Sequence, residues 1–398
     1  MQKGYVFKSG DWWYVRYFDH WVEKGVLKKR LLAKKLTPVL PEHQRLKRPP
    51  EYVERLQEEF ISKINQAVAQ PEKNVFLDEF FQNVFVPHMA ERRKISTCHA
   101  QKLIWNKQLA PRIGQLRVRD FSTVDAQQTL DSIHHQNPTL TRQTLFRCKS
   151  ILSAVLRLAV NQGFRQGSFN PVSLAEVPLG QPSRVMPHYL LDEVKKMLAA
   201  LPEPARTAIA VAAFSGLRRG EIEALRWEDI RSDGISVERS IWNGHTHEVK
   251  TAASKNLVPL IPALQVILEA HRLRLGNPST GPLFPTACNT PVSLNNMLNR
   301  QILPTLRRCA HCRKPYNKPH VGHEFKRDES RPDWKGWHSF RRGVATSLHS
   351  FGIDDLTIQR ILRHSSVEVT RRAYIHTLPE QSVAAMSLLE QQISSSIQ

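Results

Sequence analysis

The chain has 398 residues, 41% of them hydrophobic, and is therefore long enough for two or three domains with cores of their own. Its 57 Lys and Arg against 36 Asp and Glu give a net charge of +21, which favours a polyanionic partner, nucleic acid first. The purest apolar run, Ala208 to Phe214, is too short to span a membrane, and five cysteines do not make a secreted disulfide framework. With no apolar signal core after Met1, we expect a cytoplasmic protein with no membrane partner, associated with the nucleoid when it acts.

The first 50 residues predict a small basic sheet. The run from Trp12 to Phe18 is aromatic and β-prone, and the run from Val26 to Lys35 mixes apolar residues with cations. One interpretation of these cations is a solvated edge strand, because lysine commonly blocks sheet edges. The other is a surface that enters a DNA groove. The candidate DNA contacts are Lys28, Lys29, Arg30, Lys34 and Lys35.

A spacer helix is expected over residues 49–70, so that 1–70 form an N-terminal domain. Residues 74–170 predict a helical domain, because apolar residues recur at helical spacing over 76–85 and over 145–160. Four prolines mark 171–187 as a linker. Cations on the polar face of the last helix are further candidate phosphate contacts: Arg142, Arg147 and Lys149.

Residues 188–378 predict a third domain, mainly helical with short strands near residues 235, 247 and 258. The tail, 379–398, has the apolar spacing of an amphipathic helix that would dock on a partner. The fold class expected for the whole chain is mainly α with small β elements.

The third domain carries four motifs of interest: Gly216-Leu217-Arg218-Arg219-Gly220-Glu221, His338-Ser339-Phe340-Arg341, His364 and Tyr374. Alone, each has an ordinary interpretation, such as a surface ion pair, a capping histidine or a packing tyrosine. Together they supply what attack on a phosphodiester needs. Arg218 and Arg341 can donate bidentate bonds to the nonbridging oxygens. Tyr374 can attack phosphorus once a base such as His338 takes its proton, since a tyrosine pKa is about 10.

The motifs, in this order and spacing, resemble the tyrosine recombinase (phage integrase) family over nearly the whole chain. Lys250-Thr251 with Ser254 and Val258-Pro259-Leu260 resembles the family's hairpin lysine signature. The resemblance implies that Lys250, with Lys255 as its rival, protonates the leaving 5′ oxygen, that Glu221 orients Arg218 or a histidine, and that His364 donates to the phosphate. The chain departs from the family pattern at Arg363, where glycine usually precedes the histidine.

The resemblance also implies a function. We expect a site-specific recombinase that integrates a phage or genomic island through a 3′-phosphotyrosyl intermediate, with no cofactor in catalysis. It would act as a homo-tetramer on double-stranded attachment sites, with accessory DNA-bending or directionality proteins. Residues 1–70 would resemble an arm-binding domain, 74–170 a SAM-like core-binding domain, and 188–378 a mixed α+β catalytic domain. The alternatives are a type IB topoisomerase and a non-catalytic DNA-binding regulator.

A cysteine and histidine cluster lies in an apparent insertion at 307–334, just before the His338 motif. Its residues are Cys309, Cys312, His320 and His323, and His311 could replace one of them. This spacing suits a structural zinc ion that staples a segment without a core. Reduced thiols beside surface histidines, or a redox pair, would give the same sequence.

Overall fold

The computed structural model describes residues 2–23, 26–46, 48–69, 73–182, 186–248, 257–364 and 366–374. The chain divides into two compact units, residues 1–183 and 184–398. The predicted class, mainly α with small β elements, is confirmed. None of the helices in the described ranges is long and apolar enough to cross a membrane.

The first unit begins with an antiparallel sheet in the order β1-β2-β3. Its elements are β1 (Tyr5–Ser9), β2 (Trp12–Glu23), β3 (Val26–Pro38) and the following helix α1 (Glu51–Ala69). Alternate residues of β2, among them Trp13, Val15 and Tyr17, are buried, because successive side chains of a strand point to opposite faces. Val15 and Tyr17 pack against Ile61 and Ile64 of α1, so the other face of the sheet stays open.

The rest of the first unit is helical. Its elements are α2 (Leu77–Phe80), a π-helical turn (Phe81–Phe85), α3 (Val86–Ala90), α4 (Ile95–Ile104), a second π-helical turn (Trp105–Leu109), α5 (Ala110–Ile113), α6 (Thr123–Gln136) and α7 (Arg142–Asn161). Phe81 and Trp105 stack in the core with ring centroids 4.1 Å apart. Ser122 caps α6, and Thr141 caps α7.

The second unit contains two small hairpins among helices. Its elements are α8 (Leu191–Ala200), α9 (Ala205–Ser215), α10 (Arg219–Ala224), β4 (Ile230–Arg231), β5 (Gly234–Ile235), β6 (Arg239–Trp242), β7 (His245–Glu248), α11 (Pro262–Arg274), α12 (Leu294–Met297), α13 (Leu303–Leu306), α14 (His338–Ser350), α15 (Asp355–Leu362) and α16 (Val367–Tyr374). Consecutive residues of α9, from Ala208 to Ala212, are all buried, so this helix runs through the centre of the core.

Close backbone approaches determine where the site elements lie. The β6–β7 hairpin lies against α10, since a Cβ on Gly220 would meet the carbonyl oxygen of Ile241 at 2.5 Å. The segment before α8 approaches α14 at the same distance, since a Cβ on Gly343 would meet the Tyr189 carbonyl oxygen at 2.5 Å. There, Tyr189 stacks on Phe340 with centroids 4.2 Å apart, and its backbone N–H donates to the Ser339 carbonyl.

Gly343→Ala should destabilise the second unit. The new Cβ would meet the backbone carbonyl oxygen of Tyr189 at 2.5 Å, which the neighbouring chain cannot avoid by a side-chain rotation. We expect a loss of about 1–3 kcal/mol in the free energy of unfolding, measured by urea denaturation. Helix propensity alone would instead give a gain of up to about 1 kcal/mol, and such a gain would contradict the close approach.

Candidate active site

Arg218 and Glu221 meet at the start of α10. The helix α9 ends at Gly216, whose φ of 64° suits a residue without Cβ, and the chain then enters α10 with Arg218 at its N-cap. The Glu221 carboxylate accepts from the Arg218 backbone N–H at 2.9 Å and from the Arg218 guanidinium at 2.8 Å. Glu221 is 4% exposed, whereas the Arg218 side chain is 41% exposed. Arg218 therefore has guanidinium surface left for a ligand.

The Glu221 carboxylate also binds Arg363, from the turn between α15 and α16. Arg363 Nη2 donates to Glu221 Oε2 at 2.6 Å, and the Arg363 carbonyl accepts from Arg218 at 3.3 Å. Burial raises the pKa of Glu221, but the guanidiniums of Arg363 and Arg218 outweigh burial and hold that pKa below its ordinary value. The carboxylate is therefore ionised at neutral pH and links two separate turns.

Arg341 is buried one turn into α14. It is 1% exposed and donates to the Gly216 carbonyl at 2.9 Å and to the Leu362 carbonyl. These carbonyls belong to the C-terminal ends of α9 and α15, where helices leave acceptors unpaired. Burial, and then the charge of Arg218, lower the pKa of Arg341 to about 9, which still leaves it cationic at neutral pH.

His364 receives a third bond from Arg341. Arg341 Nε–H donates to His364 Nε2 at 3.0 Å, so this ring nitrogen is the acceptor and Nδ1 carries the proton. The Nδ1–H then donates to Thr370 Oγ1 of α16 at 2.8 Å. Burial, followed by Arg341 and Arg218, lowers the pKa of His364 to about 3. The ring is neutral and held from both sides.

His338 begins α14 and retains exposed surface. Neighbouring atoms that displace water, and then the guanidiniums of Arg342, Arg341 and Arg218, lower its pKa to about 4. Its imidazole is therefore neutral at pH 7 and has a nitrogen free of protons, as a base requires.

The residues expected to act as nucleophile and as proton-donating lysine are described only in part. Tyr374 is the last described residue of α16, the helix whose Thr370 accepts from His364, but its side chain lies outside the described portion. Lys250 and Lys255 lie outside the described residues, as does the tail 379–398; β7 ends at Glu248, two residues before Lys250. The structure thus brings Arg218, Glu221, Arg341 and His364 together, with Arg218 bonded to Glu221 and Arg341 bonded to His364. The turn of residues 362–364, which bonds to Arg218, Glu221 and Arg341, connects the two pairs into one network.

The sequence is similar to those of known proteins. Residues 189–381 match the model of the phage integrase family. A tyrosine recombinase XerC-like protein of Caldanaerobacter subterraneus subsp. tengcongensis is 22% identical over 374 residues, which cover 84% of this chain and 88% of that protein. Residues 189–381 therefore form a domain of the phage integrase family.

Solved structures of tyrosine recombinases share the fold. The Tn1549 transposon integrase in complex with a circular intermediate DNA has a TM-score of 0.58 and 17% identity, covering 79% of this chain and 99% of that one. A lambda integrase tetramer bound to a Holliday junction has a TM-score of 0.52 and 16% identity, covering 94% of each chain. At such identities the likeness establishes the fold and no more.

Two network members of this tyrosine recombinase were not assigned a role from sequence. Arg363 attracted notice only as a departure from the family pattern, and its ion pair with Glu221 connects residues 142 positions apart. Thr370 lies six residues after His364, within an ordinary amphipathic helix. The sequence offered one signal for Arg363, a cation directly before His364 where glycine is usual in the family.

The candidate DNA contacts of β3 are all exposed but lie on two faces of the sheet. Lys29 and Lys35 pair with His20 and Tyr14 on the open face. The other three, Lys28, Arg30 and Lys34, alternate with them and lie on the α1 side, where Lys34 Nζ is 5.1 Å from the Phe60 ring centroid.

The three candidate contacts of α7 also differ. Arg142 and Arg147 are exposed. Lys149 donates to the carbonyls of Ser173 and Ala175, so its ammonium group binds the segment that follows α7. We regard Arg142 and Arg147 as the stronger phosphate contacts.

The cysteine and histidine cluster converges in space. The ligand atoms of Cys309, Cys312, His320 and His323 all lie within 4.8 Å of one another, and His311 is outside this set. Cys309 Sγ is 3.2 Å from His323 Nε2, and Cys312 Sγ is 3.2 Å from His320 Nδ1. A tetrahedral zinc ion with ordinary bond lengths would separate such atoms by about 3.6 Å.

The loop around the cluster favours a thiolate. Burial disfavours ionisation of Cys309, but backbone N–H groups of Cys312, Lys326 and His311, with His323, lower its pKa to about 5. Zinc binds the thiolate form of cysteine, so the donor set fits this metal.

Stability should fall as the pH falls through the histidine range, because of His364. The unfolded ring has a pKa near 6.5, while the folded ring has a pKa of about 3. The unfolded state therefore binds the proton first, so the stabilisation is complete above about pH 6.5 and is lost as the pH drops towards 3. We expect His364→Gln to reduce the difference in unfolding free energy between pH 7 and pH 5 by about 1–2 kcal/mol, measured by urea titration.

The matched control is His245→Gln, at an exposed position on β7. It should leave the pH difference unchanged. If His364→Gln left it unchanged as well, the neutral, doubly bonded state of His364 would be wrong.

Proposed function

We propose that this tyrosine recombinase is a site-specific integrase that cleaves and rejoins DNA through a 3′-phosphotyrosyl intermediate. The observation that carries the proposal is the bonded network of Arg218, Glu221, Arg341 and His364 beside the helix that ends at Tyr374. Its cations are held by other groups of the protein, which is the preorganisation that electrostatic catalysis requires.

The chemistry follows from the charges. A phosphodiester carries one negative charge and gains another on its nonbridging oxygens as the pentavalent transition state forms. Arg218 has exposed guanidinium surface, and Arg341 retains N–H groups beyond its three bonds, so both can donate to those oxygens. The Tyr374 hydroxyl oxygen forms a bond to phosphorus while the bond to the 5′ oxygen breaks.

Proton transfers complete the step. Burial and then nearby guanidiniums lower the pKa of His338 and keep it neutral; an anionic phosphate would offset the guanidiniums and make the ring a better acceptor for the Tyr374 proton. Lys250, or its rival Lys255, supplies a proton to the departing 5′ oxygen. The 5′ hydroxyl of a second strand then attacks the phosphotyrosine, which restores the diester and frees Tyr374 without a cofactor.

Assembly and place of action belong to the same proposal. A lambda integrase has been solved as a tetramer bound to a Holliday junction, and we propose a homo-tetramer on two attachment sites here too, with accessory DNA-bending or directionality proteins. The open face of the N-terminal sheet, with Lys29 and Lys35, and the α7 cations would bind the flanking DNA. The host element would be a phage or a genomic island, and the enzyme would work on cytoplasmic, nucleoid DNA.

Tyr374→Phe should abolish a covalent DNA adduct. The test mixes the protein with a nicked duplex half-site, built from direct repeats flanking the gene, and measures denaturation-resistant adduct on a gel. The wild type should accumulate adduct because the nicked strand leaves and prevents religation, whereas phenylalanine has no nucleophilic oxygen. The control Tyr316→Phe, an exposed tyrosine in the same unit, should form adduct like the wild type.

Absence of adduct from the wild type would refute the enzyme and favour a DNA-binding regulator. Adduct from Tyr374→Phe would assign the nucleophile elsewhere. Relaxation of a supercoiled plasmid without strand exchange between two sites would favour the topoisomerase.

We also propose that the cluster of Cys309, Cys312, His320 and His323 holds a structural zinc ion. The loop joins α13 to α14, and its backbone hydrogen bonds include those from Cys309 N–H to the Lys314 carbonyl and from Ala310 N–H to the Lys326 carbonyl, both at 2.8 Å. A metal would stabilise this segment directly before His338. A redox pair is less favoured because two histidines converge on the same point.

Metal analysis tests the zinc site. The purified wild type should contain one equivalent of zinc, and Cys312→Ser should contain much less, because it loses one of four ligands. Cys288→Ser, at an exposed cysteine outside the cluster, is the control and should keep the metal. Zinc well below one equivalent in the wild type, with unfolding unaffected by a chelator, would exclude the site.

A further inference from the structure

Arg363 occupies a backbone conformation that suits glycine. It ends α15 with φ 54° and ψ 49°, in the left-handed region, which side chains with a Cβ disfavour. Its side chain is nevertheless only 1% exposed and is directed onto Glu221. A long, charged residue in a strained and buried position indicates that the contact itself matters.

The charge of the network depends on Arg363. Glu221 neutralises one guanidinium, and its two oxygens are shared between Arg218 and Arg363 at 2.8 and 2.6 Å. With Arg341, three guanidiniums surround one carboxylate, for a net charge of +2. Without Arg363 the net charge would be +1, while the transition state of phosphoryl transfer carries about two negative charges.

Arg363 also connects the two turns that present the site residues. Its side chain bonds Glu221, which follows the α9–α10 turn, and its carbonyl accepts from Arg218. The next residue is His364. A displacement of either turn would therefore move Arg218 and His364 together.

We propose that Arg363 is a positioning residue of this active site. Its positive charge compensates the negative charge of Glu221, so that the charges of Arg218 and Arg341 remain available to attract the phosphate. Arg363 also aligns Arg218 with His364, and it does so without touching DNA. This role rests on the proposed cleavage of DNA by Tyr374.

The test compares adduct formation by the wild type, Arg363→Gly and Arg363→Lys on two half-site substrates. One has the native phosphodiester, and the other has a methylphosphonate at the cleaved position, which removes one negative charge. Glycine suits the left-handed turn, so Arg363→Gly removes the cation without adding backbone strain. The control is Arg313→Gly, the same change at φ 61° but at an exposed side chain.

We expect Arg363→Gly to slow cleavage of the phosphodiester by about 10- to 100-fold. This decrease in rate is smaller than the one that removal of a direct oxyanion donor causes. On the methylphosphonate substrate the cleavage rate of Arg363→Gly should fall by at most a few-fold, because less negative charge develops in that transition state. Arg363→Lys should recover part of the phosphodiester rate, and Arg313→Gly should cleave both substrates like the wild type.

An equal loss on both substrates would show a purely structural role and overturn the proposal, as would an Arg363→Gly variant that cleaves normally. A wild type without adduct on either substrate refutes the proposed function instead. The two failures are therefore distinguishable.

Discussion

The burial of the Glu221 carboxylate is the constraint on which the rest of the site depends. An ionised carboxylate is very costly to bury unless cations and donors surround it. Here the partners come from two distant parts of the chain, Arg218 beside it and Arg363 from the turn after α15. The same bonds that make the buried charge tolerable bring the two halves of the active site together.

Arg341 extends this principle to the helix ends. The C-termini of α9 and α15 both direct carbonyls at it, at Gly216 and Leu362. Such carbonyls carry partial negative charge and need donors when they are buried. Gly216 can lie close enough because it has no side chain, since a Cβ there would meet Leu362 at 2.6 Å. The Arg341 guanidinium thus pairs the carbonyls of two helix ends and places a cation beside His364.

The sequence predicted much of this architecture, but not the bonds between its parts. Helical spacing in the segments around Phe81 and Leu145 indicated the helical core, and Arg218 and Arg341 were identified from motifs whose spacing reflects a single helical turn. Arg363 could only be noted as unusual, because its partner lies 142 residues away and arginine, unlike glycine, does not indicate a left-handed turn. Likewise, alternation in β3 did not reveal that its five cations divide between two faces, since that required knowing which face packs on α1.

The hydrogen bonds of His364 limit how it can contact a phosphate. His364 accepts a hydrogen bond from Arg341 and donates one to Thr370, so both of its ring nitrogens are engaged. His364 can donate to a phosphate only if Arg341 turns its Nε–H away or if the ring gains a second proton. An anionic phosphate favours both changes, because it attracts the guanidinium and raises the pKa of the ring. Donation from His364 to a phosphate, as proposed, therefore requires a change in one of its two hydrogen bonds.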